Sequence, residues 1–206
     1  MYTTKKPYII GIGGGSASGK STVAKAIINK IGLNNIAYIC HDSYYRDISE
    51  FDDNAIINYD HPNSLDTKLM VSDLIKLING NVIHIPEYDY ITHRRLSQTT
   101  EINLRPIILI EGILIYNDIN IRKLCNMKIY VDTEADERLI RRINRDMTTR
   151  KRTIEDIIYQ YTSFVKPMHN QFVEPTKNYA DIIIPSGYNE ASISMVVSSL
   201  EHLINH

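Results

Sequence analysis

Apolar residues in this chain fall into short unbroken runs, separated by stretches in which they recur every three or four positions. The unbroken runs predict buried strands over residues 8–13, 36–40, 106–111, 127–131 and 181–185. The periodic stretches predict helices over residues 20–30, 67–79, 134–148, 154–165 and 190–204. Strand and helix alternating in this way argue for an α/β fold, a parallel sheet flanked by helices on both faces. Ligands of such sheets collect beyond the carboxyl ends of the strands. No repeat, low-complexity tract or linker interrupts the pattern, so residues 1–206 read as one domain. Residues 81–105 depart from it, being rich in Tyr, Thr, Ile and Val with no helical period. They predict a β-hairpin excursion, with strands at 82–86 and 96–103, too long for a plain connection and of the kind that binds ligands.

Between the first strand and the first helix lies Gly14-Gly15-Ser16-Ala17-Ser18-Gly19-Lys20-Ser21, followed by Thr22, which fits the phosphate-loop pattern G-x-x-x-x-G-K-[ST]. Glycines let backbone N–H groups wrap a polyphosphate without Cβ clashes, and the helix start adds its own free N–H groups and positive dipole end. Lys20 would reach the β/γ-phosphates, and the Ser21 hydroxyl would ligate Mg²⁺. A glycine-rich turn without ligand is the plainer reading, but the strand and helix on either side favour nucleoside-triphosphate binding.

Composition narrows the class further. A net charge of -1 supplies no bulk basic field for nucleic acid or a membrane surface. Cys40 and Cys125 form no C-x-x-C pair and read as small buried thiols of a reducing compartment. Lys5 and Lys6 precede an apolar run too short for a signal peptide, and the apolar stretch 107–115 is interrupted by Glu111. The expectation is a cytoplasmic enzyme.

A phosphate loop alone fits kinases, GTPases and motor ATPases. The N-K-x-D and D-x-x-G motifs of GTPases do not occur. Instead carboxylates stand at predicted strand ends: Asp42 in His41-Asp42-Ser43-Tyr44-Tyr45-Arg46, and Glu111 in Ile110-Glu111-Gly112. One carboxylate beside a phosphate loop can help hold Mg²⁺, and another can accept the proton of an attacking hydroxyl. Asp42 as a helix cap and Glu111 as a loop residue are the structural alternatives.

These segments resemble the uridine kinase, or uridine-cytidine kinase, family from Ile10 to about Ile184. The resemblance extends through Asn58-Tyr59-Asp60-His61-Pro62, Pro86-Glu87-Tyr88-Asp89-Tyr90-Ile91-Thr92-His93-Arg94, Arg141-Arg142-Ile143-Asn144-Arg145-Asp146 and Pro175-Thr176-Lys177-Asn178-Tyr179-Ala180-Asp181. It implies a kinase moving the γ-phosphoryl of ATP or GTP, with Mg²⁺, to the 5′-hydroxyl of uridine or cytidine. By resemblance Asp42 faces that hydroxyl, while Asp60 and Arg142 meet the ribose hydroxyls. Tyr88 and His93 meet the base edge, Tyr59 and Tyr90 pack nearby, and Tyr45 and Gln160 are further pocket positions. Arg145, Arg150 and Arg152 match arginines near the transferred phosphate. Independently of the resemblance, three arginines within eight positions suggest that residues around 147–152 form a mobile lid over the phosphates. Glu111 joins Ser21 and Asp42 around the metal. A homo-oligomer, often a tetramer, is also implied.

The chemistry is consistent with these roles. One carboxylate can accept from both ribose hydroxyls, and a phenol with a neutral imidazole can serve uracil and cytosine alike. Forked guanidinium groups suit the charge that spreads over a transferring phosphoryl group. Phosphoribulokinase and pantothenate kinase share a similar phosphate loop and early Asp, and a non-catalytic nucleotide-binding module is the rival from another class. Arg138 and Arg141 fit equally a solvated salt-bridge face beside Glu134, Asp136 and Glu137. His61, next to Pro62, reads as a turn constraint, and His84 and His169 carry no assignable role. One position departs from the family: Lys151 stands between Arg150 and Arg152 where a glycine is usual, which raises the question of a positive φ there.

Overall fold

The computed structural model describes residues 6–52 and 56–205; Lys5, read above as part of a basic pair, lies outside them. In chain order the elements are β1 (Tyr8–Gly14), α1 (Lys20–Ile31), β2 (Ile36–Cys40), α2 (Thr67–Ile78), β3 (Ile83–Asp89), β4 (Arg94–Ile102), β5 (Ile107–Glu111), α3 (Ile119–Leu124), β6 (Met127–Asp132), α4 (Ala135–Thr149), α5 (Ile154–Gln160), α6 (Lys166–Met168), β7 (Ile182–Pro185) and α7 (Glu190–Asn205). The main sheet is five-stranded, in the order β2-β5-β1-β6-β7 and parallel throughout. Parallel neighbours cannot be joined by tight turns, so helices separate these strands in sequence. β1 is central, and the chain leaves it toward opposite edges, which opens a crevice at its carboxyl end.

Successive residues of a strand face opposite sides, and both sides here are covered. Ile10 and Ile12 pack with Val23 and Ile27 of α1 and with Ile193 and Val197 of α7. Ile9, Ile108 and Ile110 face Met70, Leu74 and Leu77 of α2. Each such side chain, buried from water, contributes roughly 1.5–3 kcal/mol. The expected strands of the main sheet and the helices α1, α2, α4 and α7 begin and end within one residue of the structure.

Three elements differ from expectation. The hairpin strands run further toward their turn than 82–86 and 96–103, pairing Tyr88 with Arg95 and Asp89 with Arg94 after an irregularity between Pro86 and Tyr88. Proline donates no hydrogen bond, which breaks the ladder locally without ending the strand. The helix expected at 154–165 continues as α5, a wide turn at Tyr161–Val165, α6, and a second wide stretch at His169–Val173. In that turn the Lys166 N–H bonds to Tyr161 O, and the widened geometry lets the helix pass Pro167. α3, absent from the sequence reading, is a 6-residue helix capped by the Asp118 carboxylate, which accepts from the Asn120 and Ile121 amides.

Candidate active site

The phosphate loop leaves β1 at Gly14, where φ is +138° and a Cβ would lie 2.5 Å from Val131 O. It enters α1 through Gly19, where φ is +99°. Both conformations are ones a side chain would strain. Thr133 Oγ1 donates to Ser18 O at 2.8 Å, and Lys20 Nζ donates to Gly15 O at 3.0 Å, so the loop is held in shape by its own chain. Burial lowers the Lys20 pKa, while the Glu111 and Asp42 carboxylates act in the opposite direction.

Glu111 ends β5 next to Cys40 of β2 and Ile12 of β1. Its Oε1 accepts from Ser21 Oγ at 2.7 Å and from Tyr38 OH at 2.8 Å. Asp42 follows β2 in a single helical turn, His41–Tyr44. Its Oδ1 is buried without a hydrogen-bond partner. Burial and the nearby Glu111 push the Asp42 carboxyl up to about 6, against the pull of Lys20, Arg150 and Arg145. Among the described residues no group of three or more His, Cys, Asp or Glu is arranged to hold a metal. Ser21 with Glu111 and Asp42 is instead a hard, oxygen-only set, the kind that binds Mg²⁺ with water and phosphate filling the other positions. Cys40 is half-buried rather than buried, with its Sγ 3.8 Å from Glu111 Oε1, and Cys125 is buried as expected.

Beyond Asp42 lies a cavity of about 330 Å³. Every residue that the resemblance assigned to the nucleoside lines it: Asp60, Tyr45, Tyr59, Tyr88, Tyr90, His93, Arg142 and Gln160, together with Ser16, Asp42, Arg145, Arg150 and Arg152. The hairpin supplies Tyr88, Tyr90 and His93, and it is stitched to the segment after Asp42. Arg95 Nε donates to Tyr45 O at 2.7 Å, Arg95 Nη2 to Tyr44 O at 3.0 Å, and the Ile48 amide to His93 O at 2.9 Å. His93 has φ +57°, an uncommon conformation for a side-chain-bearing residue and one that tends to mark functional turns. Its ring stacks on Tyr59 with centroids 4.2 Å apart, and its Nδ1 lies 3.4 Å from Tyr88 OH. Burial and the charges of Arg152 and Arg150 lower the His93 pKa and favour neutral imidazole. Asp60 sits in a turn where its amide donates to Asn58 Oδ1 at 3.1 Å. Burial raises its pKa, and Arg142 leads the groups that oppose the rise.

The arginines come from α4 and the residues just after it. Arg142 Nη1 donates to Ser16 Oγ at 3.1 Å, while its Nε and Arg145 Nη2 are buried without hydrogen-bond partners. Arg150 lies over the Tyr90 ring, 4.9 Å from its centroid. Arg152 hydrogen-bonds Gln160 through Nη1 and lies 3.4 Å from His93 Nε2 through Nη2. The segment expected at 147–152 is shorter outside the helix, since α4 runs through Thr149. Lys151 has φ +54°, the positive φ that the glycine of the family suggested.

A second cavity, about 530 Å³, is lined by Ala17, Gly19, Lys20, Ser21 and Thr22 with Arg141, Ser186 and Tyr188. Ser186 and Tyr188 follow β7 and gave no motif. Arg141 pairs with Glu137 at 3.5 Å, as a salt-bridge face implies, and it also lines this cavity, which its sequence reading did not indicate. Arg138 does not belong to a solvated face: it is 7% exposed, its Nε donates to Thr133 O at 3.0 Å, and its Nη2 lies 3.1 Å from His169 Nε2. That gives His169 a structural place under the phosphate loop, near Gly15. His61 Nδ1 accepts from the Asn63 amide at 3.1 Å, as a turn residue would. Tyr159 and Phe164 also line the first cavity and were missed. Their one sequence signal is an aromatic pair in the stretch after Arg152.

A model of the phosphoribulokinase/uridine kinase family matches residues 9–192. A uridine kinase of Clostridium perfringens (strain SM101) is 51% identical over 97% of this chain and 98% of its own length. A uridine kinase of Chloroflexus aurantiacus is 49% identical, with 95% of each chain covered. Among solved structures, phosphoribulokinase from Rhodobacter spheroides superposes with a TM-score of 0.64 at 17% identity, covering 88% of this chain and 71% of its own, a likeness of fold. The chain belongs to the phosphoribulokinase/uridine kinase family.

Proposed function

We propose that this protein is a uridine kinase, transferring the γ-phosphoryl of ATP or GTP to the 5′-hydroxyl of uridine or cytidine to give UMP or CMP. The observation that carries the reading is the position of Asp42. Its unpartnered carboxylate oxygen stands between the phosphate loop and a cavity lined by Asp60, Tyr88 and His93. A 5′-hydroxyl there would give its proton to Asp42, a carboxylate tuned close to neutral pH. Asp60 would accept from both ribose hydroxyls, with Arg142 beside it, which disfavours a 2′-deoxy sugar. Neutral His93 and Tyr88 would meet the base edge, and the aromatic walls favour a base over the sugar phosphate that a phosphoribulokinase takes. The second cavity, sharing Lys20 to Thr22 with the phosphate loop, would take the donor nucleotide past Arg141 and Tyr188.

Mg²⁺, held by the Ser21 hydroxyl with Glu111 and Asp42 reaching it directly or through water, would neutralise charge on the donor phosphates. Lys20 would meet the β/γ-oxygens, and Arg145, Arg150 and Arg152 the oxygens of the group in transfer. The partners on this reading are small molecules alone, in the cytoplasm. Among the described residues no helix is long and apolar enough to cross a membrane. A homotetramer is carried over from the family resemblance.

The test is UMP formation from uridine and Mg·ATP, followed by radiolabel transfer. The parent should transfer label, and Lys20→Ala should lose about 100-fold or more in kcat while remaining folded. No label transfer by the parent, or a kcat of Lys20→Ala within about threefold of it, would reject the assignment.

A further inference from the structure

The arginines facing the acceptor cavity carry like charge and crowd together, so something has to gather them. Asp146, in the last turns of α4, is 0% exposed and does not line the cavity. Its Oδ1 accepts from Arg145 Nε at 2.8 Å and lies 3.5 Å from Arg150 Nη1, while Oδ2 lies 3.4 Å from Arg142 Nε. Its backbone carbonyl accepts from the Arg150 and Arg152 amides at 3.2 and 3.1 Å, so the same residue also fixes the chain where it leaves the helix. Burial opposes its charged form, but the hydrogen bond from Arg145 and the charges of Arg145, Arg150 and Arg142 outweigh that and hold its carboxyl below the ordinary value.

We infer that Asp146 is a positioning residue for phosphoryl transfer: one buried carboxylate that draws Arg145 and Arg150 together beside Asp42 and leaves their remaining N–H groups aimed at the cavity. This rests on the kinase reading above. Arg145 Nη2 is buried with no hydrogen-bond partner although Nε is engaged, so the guanidinium is held from behind with a donor still free. Arg142 has other anchors in Ser16 and Gln160, whereas Asp146 is the only carboxylate paired with Arg145 or Arg150 among the described residues. Loss of Asp146 should therefore fall on transfer rather than on nucleoside binding. Its neutral isostere would leave neighbouring cations with no negative charge between them, and they would move apart into solvent.

The experiment is a double-mutant cycle in the uridine phosphorylation assay. Asp146→Asn should lower kcat about tenfold or more, with the KM values for ATP and uridine within about threefold of the parent. Asp146→Asn/Arg145→Ala should lose far less than the product of the two single losses, because the carboxylate acts through the arginine. Thermal unfolding of each variant separates this from simple loosening, which would multiply with Arg145→Ala and raise both KM values. If Asp146→Asn does not fold, the same cycle with Asp146→Glu, which keeps the charge but displaces it by a methylene, is read by the same criteria. Multiplicative losses, or a parent-like kcat in the Asp146 variant beside an impaired Arg145→Ala, overturn the inference alone. A parent-like kcat in Arg145→Ala sinks the assignment of Arg145 itself and the inference with it.

Discussion

On the proposed reading, the environment of the Asp42 side chain governs a rate. Burial and the neighbouring Glu111 push its carboxyl up to about 6, with Lys20, Arg150 and Arg145 limiting the rise. A proton acceptor works only when ionised, so kcat/KM for uridine should hold above pH 6 and fall about tenfold per unit below it. Arg150→Ala removes a cation that favours the ionised form, so the acid limb should move to higher pH; a limb that stays in place would show that Arg150 does not act on Asp42. Asp42→Asn should depress kcat far more than the uridine KM. Asp60→Asn should do the reverse, raising the uridine KM and narrowing the preference for uridine over 2′-deoxyuridine. Interchangeable kinetics in the two variants would mean that the two carboxylates do not divide the work in this way. Both residues could be read from local motifs and family resemblance, because each stands in a short segment next to an apolar run or a turn. Arg138 could not be read so. Acidic neighbours at helical spacing suggest a surface arginine, and only the packing of α4 against the phosphate loop turns it inward toward Thr133 O and His169.

At the level of elements, the end of α4 is the unusual feature. The helix stops at Thr149, Arg150 caps it, and Lys151 takes φ +54° so that the Arg152 amide can return to Asp146 O. Glycine is the common residue in that left-handed position, and a side chain there costs roughly 1–2 kcal/mol. Lys151→Gly should therefore stabilise the protein by about 0.5–1 kcal/mol, the strain relieved being partly offset by a freer unfolded chain, and should keep or raise kcat. A lower unfolding midpoint in denaturant would show that the lysine side chain contributes more than its backbone costs. That strained turn was legible as a substitution at a glycine position. The helix through Pro167 was not, because a proline in sequence signals a stop, and it is the packing of Val165 and Val173 into the core that carries the wide turns across it. α3 was missed because 6 residues are too few for a periodic pattern. The lining of the second cavity by Arg141, Ser186 and Tyr188 was missed because its members meet only once β7 takes the edge of the sheet.

For the molecule as a whole, the cavity proposed to take the acceptor is closed by parts far apart in sequence and joined by few polar links among the described residues. The hairpin reaches the loop after Asp42 through Arg95 and the Ile48 amide, and Arg142 reaches the phosphate loop through Ser16. Among the described residues only Arg152 hydrogen-bonds across from the hairpin to α5, touching His93 on one side and Gln160 on the other. A kinase has to keep water from the phosphoryl group until its acceptor is bound, and segments that close over both substrates do this. Arg152→Ala should leave each half folded but cut the link between them. Uridine should then bind more weakly, and phosphate release from ATP without uridine should rise as a share of total turnover. Paired assays settle this, with inorganic phosphate measured in the absence of uridine and UMP in its presence. If the ratio of hydrolysis to transfer matches that of the parent, water is excluded by the hairpin packing alone, and Arg152 serves only the transferred phosphate.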